Sequence, residues 1–412
     1  MVHHHGGACI LPYFEDGTIC MVRQFRYAMQ QELWELPAGK LEKGEDPFEA
    51  AKRELEEEYH VSPQRARLAV DCAKASLAAQ RALREREVSL YIGIPFCPTR
   101  CAYCSFVSAD VGRTLKLVDP YVEALEEEID AMGRLLRELG LSVRSFYMGG
   151  GTPTTLSAPQ LEALLERCRQ VLPLEGCTEY TVEAGRPDTI TREKLEVLKA
   201  HGIGRISINP QTLEDPVLQA IGRRHTARDI LDAYATAREV GFASINMDLI
   251  AGLPKDSFVG FQRSLEGVMA LGPENITVHT LALKKGSRIL LEGQKIPSAE
   301  AVGQMLDYSV SALRGADFHP YYLYRQKYMS GSFENIGWCI SGAEGLYNIY
   351  IMEELHSILS LGAGGSTKMV DPAAGRIERV FHAKYPNEYI TRPEKIQKNL
   401  EDFADFYRRM KK

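Results

Sequence analysis

From residue 88 to residue 314 the chain alternates short β-branched or apolar runs with longer stretches of helical period. This alternation restricts the fold more than any other feature. The runs VSLYIGI (88–94), RSFYMGG (144–150), TEYTVEA (178–184), RISINP (205–210), SINMDLI (244–250) and NITVHTL (275–281) predict strands. Helical periodicity predicts helices over 118–139, 157–171, 190–201, 226–240, 257–271 and 297–314. Ser157 and Thr226 stand where N-caps belong. Six strand–helix units predict a parallel sheet. The absence of a nucleotide-binding glycine fingerprint argues against a Rossmann sheet.

The residues of unusual chemistry fall at or just past the C-terminal ends of these strands. They are the Cys97–Cys104 segment, GGGTPT (149–154), Glu183, Gln211, and Asp248 with GLP (252–254). A (β/α) barrel keeps its chemistry at that end. The expected fold is therefore α/β, an open (β/α)6 partial barrel over 88–315, entered through a helical connector (62–87). An auxiliary region (316–412) follows it. Within that region, 316–382 is rich in Tyr and Gly without a clear period and reads as a lid or auxiliary layer, and 395–411 reads as an amphipathic helix. Upstream, 47–86 reads as helix punctuated by Ser62-Pro63.

Composition excludes several classes. A hydrophobic content of 45% and a charged content of 25% suit a soluble globular protein. No apolar run is long enough to span a bilayer, and His3–His5 replace the basic-then-apolar start of a signal peptide. A pI near 6.0 offers no electrostatic case for nucleic acid. Nine cysteines, an odd number, point to thiols kept free or metal-bound in a reducing cytoplasm.

Three of those cysteines, Cys97, Cys101 and Cys104, lie in YIGIPFCPTRCAYCSF (91–106). Spaced three and then two apart, they can present three thiolates to one face of a cuboidal iron–sulfur cluster, leaving a fourth iron open to a small chelator. A structural zinc site takes four protein ligands, and no fourth Cys or His lies nearby.

This segment resembles the signature of radical S-adenosylmethionine (SAM) enzymes. The stretch from about Glu54 onward resembles the oxygen-independent coproporphyrinogen III oxidase family, nearest its coproporphyrinogen dehydrogenase branch. FYMGGGTPTTLS, YTVEAGRPDTIT, RISINPQTL, IGRRHT, INMDLIAGLP, ITVHTLALKKGSRI and YYLYRQK carry the match. The resemblance implies a 4Fe–4S cluster on the three cysteines, with SAM on the open iron, and an electron donor such as flavodoxin or ferredoxin. Reductive cleavage of SAM then gives a 5′-deoxyadenosyl radical. That radical removes hydrogen from a propionate of the porphyrinogen substrate, and loss of carbon dioxide leaves a vinyl group.

The resemblance also implies that Gly149, Gly150 and Gly151 let backbone approach the methionine end of SAM. It further implies that Glu183 accepts from its amino or ribose groups, Arg223 pairs with its carboxylate, and Gln211 and Asp248 contact ribose. Tyr91, the candidate catalytic residue, braces the site. One departure stands at Phe106, where well-studied oxidases have a further Cys. Related haem chaperones carry Phe there and keep the cluster, which makes a chaperone the competing reading.

The first 60 residues hold 6 Lys/Arg against 12 Asp/Glu, which accounts for the whole net charge of −6. Here GKLEKGEDPFEAAKRELEEEYHV (39–61) resembles a Nudix box through Gly39, Glu45, Arg53, Glu54, Leu55, Glu57 and Glu58. Glu54, Glu57 and Glu58 share one helix face, a set able to hold Mg²⁺ against a pyrophosphate. The preceding GGACILPYFEDGTICMVRQFRY and ELPAGK resemble the strands before the box in ADP-ribose pyrophosphatases. His60 replaces the closing glycine, and helical sequence follows where further strands belong. Residues 1–61 therefore read as a truncated Nudix-like fragment, and a bifunctional protein with Nudix pyrophosphohydrolase activity is a third reading.

Overall fold

The computed structural model describes residues 7–9, 22–26, 31–35, 38–40, 63–104, 109–283, 287–325 and 333–410. Its chain divides into two compact units, Met1–Lys74 and Ala75–Lys412. In the first, Gly7–Cys9 pairs antiparallel with Ala38–Lys40, and Val22–Arg26 pairs antiparallel with Gln31–Glu35. Of the helix expected over 47–86, the part described is α1 (Pro63–Arg81). The remainder up to residue 62 lies outside the described residues, as do Glu54, Glu57 and Glu58.

The second unit is built on one 11-stranded sheet. Six strands run parallel and in chain order: β1 (Glu87–Ile94), β2 (Ser142–Gly150), β3 (Glu179–Gly185), β4 (Arg205–Gln211), β5 (Ser244–Ala251) and β6 (Asn275–Thr280). The helices between and after them are α2 (Val118–Leu139), α3 (Ala158–Val171), α4 (Arg192–Ala200), α5 (Ala227–Val240), α6 (Phe258–Leu271) and α7 (Ala299–Gly315). The expected capping is present: the hydroxyls of Ser157 and Thr226 accept the Gln160 and Asp229 amides, and each forms a reciprocal capping box.

The register aligns residues of one kind across the strands. On one face, Leu90, Ile92, Phe146, Met148, Val182, Ile206, Ile245 and Ile276 are all essentially buried. On the other, alternate positions carry Ser89, Tyr91, Ser145, Tyr147, Thr181, Glu183, Ser207, Asn246, Asp248 and Thr277. Successive strand residues face opposite sides, so this alternation separates an apolar wall from a polar one. A filled (β/α) barrel packs branched aliphatics inside; this open sheet has a polar inner face instead.

The region read as a lid or auxiliary layer contributes strands that lengthen the same sheet at both edges. Beyond β6 lie β8 (Asn335–Cys339) and then β7 (His319–Tyr324), each pairing antiparallel with its neighbour. Beyond β1 lie β9 (Ile358–Leu361), parallel to β1, then antiparallel β10 (Ser366–Asp371) and β11 (Arg376–Phe381). The segment between β8 and β9 crosses the N-terminal end of the inner face. There Ala343 O accepts from Arg205 (3.0 Å) and Asn275 (2.7 Å). The Glu179 carboxylate takes the amides of Leu346 (2.6 Å) and Tyr347 (3.0 Å) at the start of α8 (Leu346–Glu353). A carboxylate on a helix N-terminus satisfies amides that have no intrahelical acceptor. The closing helix, α9 (Pro393–Met410), packs on α2, β10 and β11.

Candidate active site

The cysteine loop leaves the C-terminal end of β1. Phe96–Cys97 forms a short parallel pair with Ala109–Asp110, and the Cys104 amide donates to Cys101 O at 3.1 Å. Cys101 is buried, whereas Cys97 and Cys104 are partly open. Three neighbouring strands hold this loop. Thr152, past β2, donates its amide to Phe96 O at 2.8 Å and sets its hydroxyl 3.4 Å from Cys97 Sγ. Arg186, past β3, is nearly fully buried and grips Asp188 with two parallel bonds of 2.9 and 2.6 Å. Its remaining nitrogen donates to Thr99 O (3.1 Å) and Thr99 Oγ1 (2.8 Å), and lies 3.9 Å from Cys101 Sγ. From beyond β4, Arg223 reaches Asn209 O (2.5 Å) and Tyr103 Oη (3.1 Å).

Arg223 was expected to meet a carboxylate. Its Nε is buried and finds no hydrogen-bond partner among the described residues, leaving one donor for an incoming acceptor. Burial works against its charge, but Tyr103 and Cys101 outweigh that and raise its pKa further.

The three glycines have reasons inside the protein for lacking a side chain. A Cβ on Gly149 would lie 2.9 Å from Glu183 Cδ, and one on Gly151 would lie 2.5 Å from Phe96 O and 2.9 Å from Ile94 O. Gly150 adopts φ +106°, which favours glycine, and its Cβ would stand 3.1 Å from Tyr91 Oη.

Glu183 sits beneath them and accepts the Tyr147 hydroxyl at 2.6 Å. Burial raises its pKa to about 7, with Asp248 adding to the rise and Tyr147, Gly150 and His279 opposing it. Tyr91 stacks against Tyr147 (6.2 Å between centroids) and Tyr347 (6.1 Å), which in turn stack on each other at 4.4 Å. Burial, then Glu183, pushes the Tyr91 hydroxyl well above its ordinary range, so it stays protonated. Asp248 accepts Asn246 Nδ2 at 2.7 Å and faces His279 Nε2 at 3.7 Å. Although burial opposes its charge, His279, Asn246 and Thr277 hold its pKa below the usual carboxylate range. Gln211 is buried at the end of β4 with φ +71°, a strained conformation for a residue with a side chain.

Sequence reasoning thus names residues that converge on one end of the sheet, but it misses several that position them. Arg186 and Thr152 lie inside motifs it singled out, EAGRPDT and GGGTPT. Tyr147, Asn209 and His279 follow the every-second-residue polar pattern of the strands. Tyr347 has no local signal, because it reaches Tyr147 only through the tertiary fold.

Comparison with known proteins agrees with this geometry. A model of the radical SAM superfamily matches residues 91–266, and one of the NUDIX domain matches 3–93. The oxygen-independent coproporphyrinogen-III oxidase-like protein HemZ of Bacillus subtilis (strain 168) is 40% identical over 349 residues, covering 84% of this chain and 70% of its own length. The heme chaperone HemW of Lactococcus lactis subsp. lactis (strain IL1403) is 32% identical, with 68% and 69% covered. The solved coproporphyrinogen III oxidase (HemN) of Escherichia coli, a radical SAM enzyme, shares the fold. Its TM-score is 0.61 at 24% identity, over 78% of this chain and 72% of that one.

Proposed function

Because the chain belongs to the radical SAM family of coproporphyrinogen oxidase-like proteins and haem chaperones, we propose that it is the oxidase. In this reading it decarboxylates two propionates of coproporphyrinogen III oxidatively to give protoporphyrinogen IX. Membership implies a 4Fe–4S cluster and SAM. The residues present fit both: three thiols on one tethered loop, two buried guanidinium groups beside Cys101, and the unpartnered Nε of Arg223. When bound, the pair supplies one-electron chemistry that takes hydrogen from an unactivated carbon.

The chain's own groups position and protect. Cys97, Cys101 and Cys104 hold the cluster, on a loop that Arg186 and Thr152 fasten to the strand ends. Arg223, through its unpartnered Nε, would hold the SAM carboxylate, Glu183 its amino group, and Gln211 and Asp248 its ribose. Gly149–Gly151 keep the approach free of side chains, and Tyr91 braces the floor. A one-electron donor such as flavodoxin or ferredoxin acts from outside. Among the described residues no helix is long and apolar enough to cross a membrane. Membership of the radical SAM family does not imply Mg²⁺ at Glu54, Glu57 and Glu58, which lie outside the described residues.

What supports the oxidase over the chaperone is the higher identity to the oxidase-like HemZ, 40% against 32% for the heme chaperone HemW. Phe106 supports the second reading, a haem chaperone on the same scaffold. Anaerobic incubation of the reconstituted protein with coproporphyrinogen III, SAM and a strong reductant separates them. The expected result is methionine and 5′-deoxyadenosine together with vinyl-bearing porphyrinogen. Stoichiometric haem binding without product overturns the oxidase in favour of the chaperone. Replacing Cys97, Cys101 and Cys104 singly by Ala should each cost most of the bound iron, and full iron in any of them overturns the cluster assignment.

A further inference from the structure

At the far end of the sheet from the cysteine loop, three potential metal ligands meet. His319 opens β7, Cys339 closes β8 directly opposite it, and Glu344 lies on the segment leading to α8. His319 Nε2 is 2.8 Å from Glu344 Oε1 and 3.3 Å from Cys339 Sγ, and one donor atom from each residue lies within 4.8 Å of the others. Cys339 is fully buried, whereas His319 and Glu344 are about a third exposed at 37% and 31%, so the trio opens to solvent on one side.

Hydrogen bonding satisfies only part of this arrangement, because an Nε2–H donated to Glu344 leaves Cys339 Sγ as a weak second acceptor. A ring nitrogen carries either one proton or one lone pair. If Nε2 holds a proton, that proton is shared between two acceptors on different elements. If Nε2 is bare, it accepts from the Cys339 thiol, but its lone pair then faces the Glu344 carboxylate. A cation placed between the three atoms satisfies all of them.

We propose that His319, Cys339 and Glu344 form a zinc site with a fourth position left to water. Imidazole, thiolate and carboxylate together are a donor set suited to zinc rather than to Ca²⁺ or Mg²⁺. Tetrahedral zinc, with bonds of about 2.3 Å to sulfur and about 2.0 Å to nitrogen, holds such atoms roughly 3.3–3.6 Å apart. The His319–Cys339 separation of 3.3 Å matches that spacing, and His319 and Glu344, at 2.8 Å, would move apart by roughly 0.5 Å to admit the ion. On binding, the Cys339 S–H bond breaks, its proton leaves to solvent, and the sulfur–zinc bond forms without any redox change. The ion would pin the segment whose Ala343 carbonyl and Leu346 and Tyr347 amides close the inner face.

The test uses cluster-loaded protein supplied anaerobically with one equivalent of zinc and then desalted. Metal analysis and zinc X-ray absorption are compared between the parent, Cys339→Ser, His319→Gln and Glu344→Gln. The parent should retain about one zinc with a single sulfur neighbour at about 2.3 Å, and zinc should raise its thermal midpoint. Cys339→Ser should lose the sulfur shell. His319→Gln should lose the bound zinc, and Glu344→Gln, at a partly exposed position where the substitution keeps the side chain's size, should weaken binding at least tenfold. Zinc with no sulfur neighbour, as at His3–His5, overturns the proposal. So does zinc with three sulfurs, as on the cysteine loop, or retention unchanged in Glu344→Gln.

Discussion

Arg186 joins three things by one guanidinium group: Asp188 on its own turn, the Thr99 carbonyl in the cysteine loop, and the surroundings of Cys101 Sγ. Removing one member of a buried ion pair strands its partner, at about 3–5 kcal/mol. Arg186→Ala should therefore lower the thermal midpoint and, because the loop loses its tether, the iron retained after anaerobic reconstitution. Arg186→Lys should recover part of the stability but little of the iron, since an ammonium cannot make the fork. Full iron in Arg186→Ala would show that the loop stands without it. Glu183 gives a pH signature. Its pKa is raised to about 7 in the fold, so the folded state binds the proton more tightly than the unfolded chain does. The stability this lends is complete below the unfolded value and is lost as pH rises through 7. In cofactor-free protein, Glu183→Gln should remove that slope, worth on the order of 3 kcal/mol. Parallel pH–stability curves for the two proteins would refute the raised pKa.

Elements bounded by strong periodicity were legible in the sequence to within about two residues. The helix expected over 118–139 is α2, Val118–Leu139, and the strand expected over 205–210 is β4, Arg205–Gln211. The strands after residue 318 were not legible. Ile358–Leu361 has four residues, too few to show a period, and Arg376–Phe381 is a half-exposed edge strand without clean alternation. Both exist because a neighbouring strand offers them hydrogen bonds. The turn after β2 shows a tighter constraint. A side chain on Gly151 would strike the backbone oxygens of Phe96 and Ile94, which cannot move without displacing the cysteine loop. Gly151→Ala should cost about 1–3 kcal/mol and reduce iron retention. Gly204→Ala, where a Cβ meets nothing within 4 Å, should leave both unchanged in denaturant melts and iron assays. Equal behaviour of the two variants would show that the turn is looser than its geometry.

For the molecule as a whole, the two family matches meet at one strand. The NUDIX model extends to residue 93 and the radical SAM model begins at 91, yet β1, Glu87–Ile94, is hydrogen-bonded on both sides, to β2 and β9. A strand with both edges occupied has no edge left to complete a Nudix sheet, and catalysis needs a pocket that fixes the pyrophosphate against metal and water. The purified chain should therefore show no turnover of ADP-ribose with Mg²⁺. Robust hydrolysis that disappears in Glu57→Gln would establish a working second enzyme. The sequence by itself determined the parallel strand–helix core, the cysteine loop and the end of the sheet where they meet. Those features are written in local periodicity and short spacings, which neighbouring residues encode together. Only the tertiary structure decided that Arg186 tethers the loop, that Tyr347 stacks on Tyr147, and that residues 319–381 extend both sheet edges. It alone brought His319, Cys339 and Glu344 together. These depend on contacts between distant segments, whose partners are chosen by burial and register and leave no local pattern in the chain.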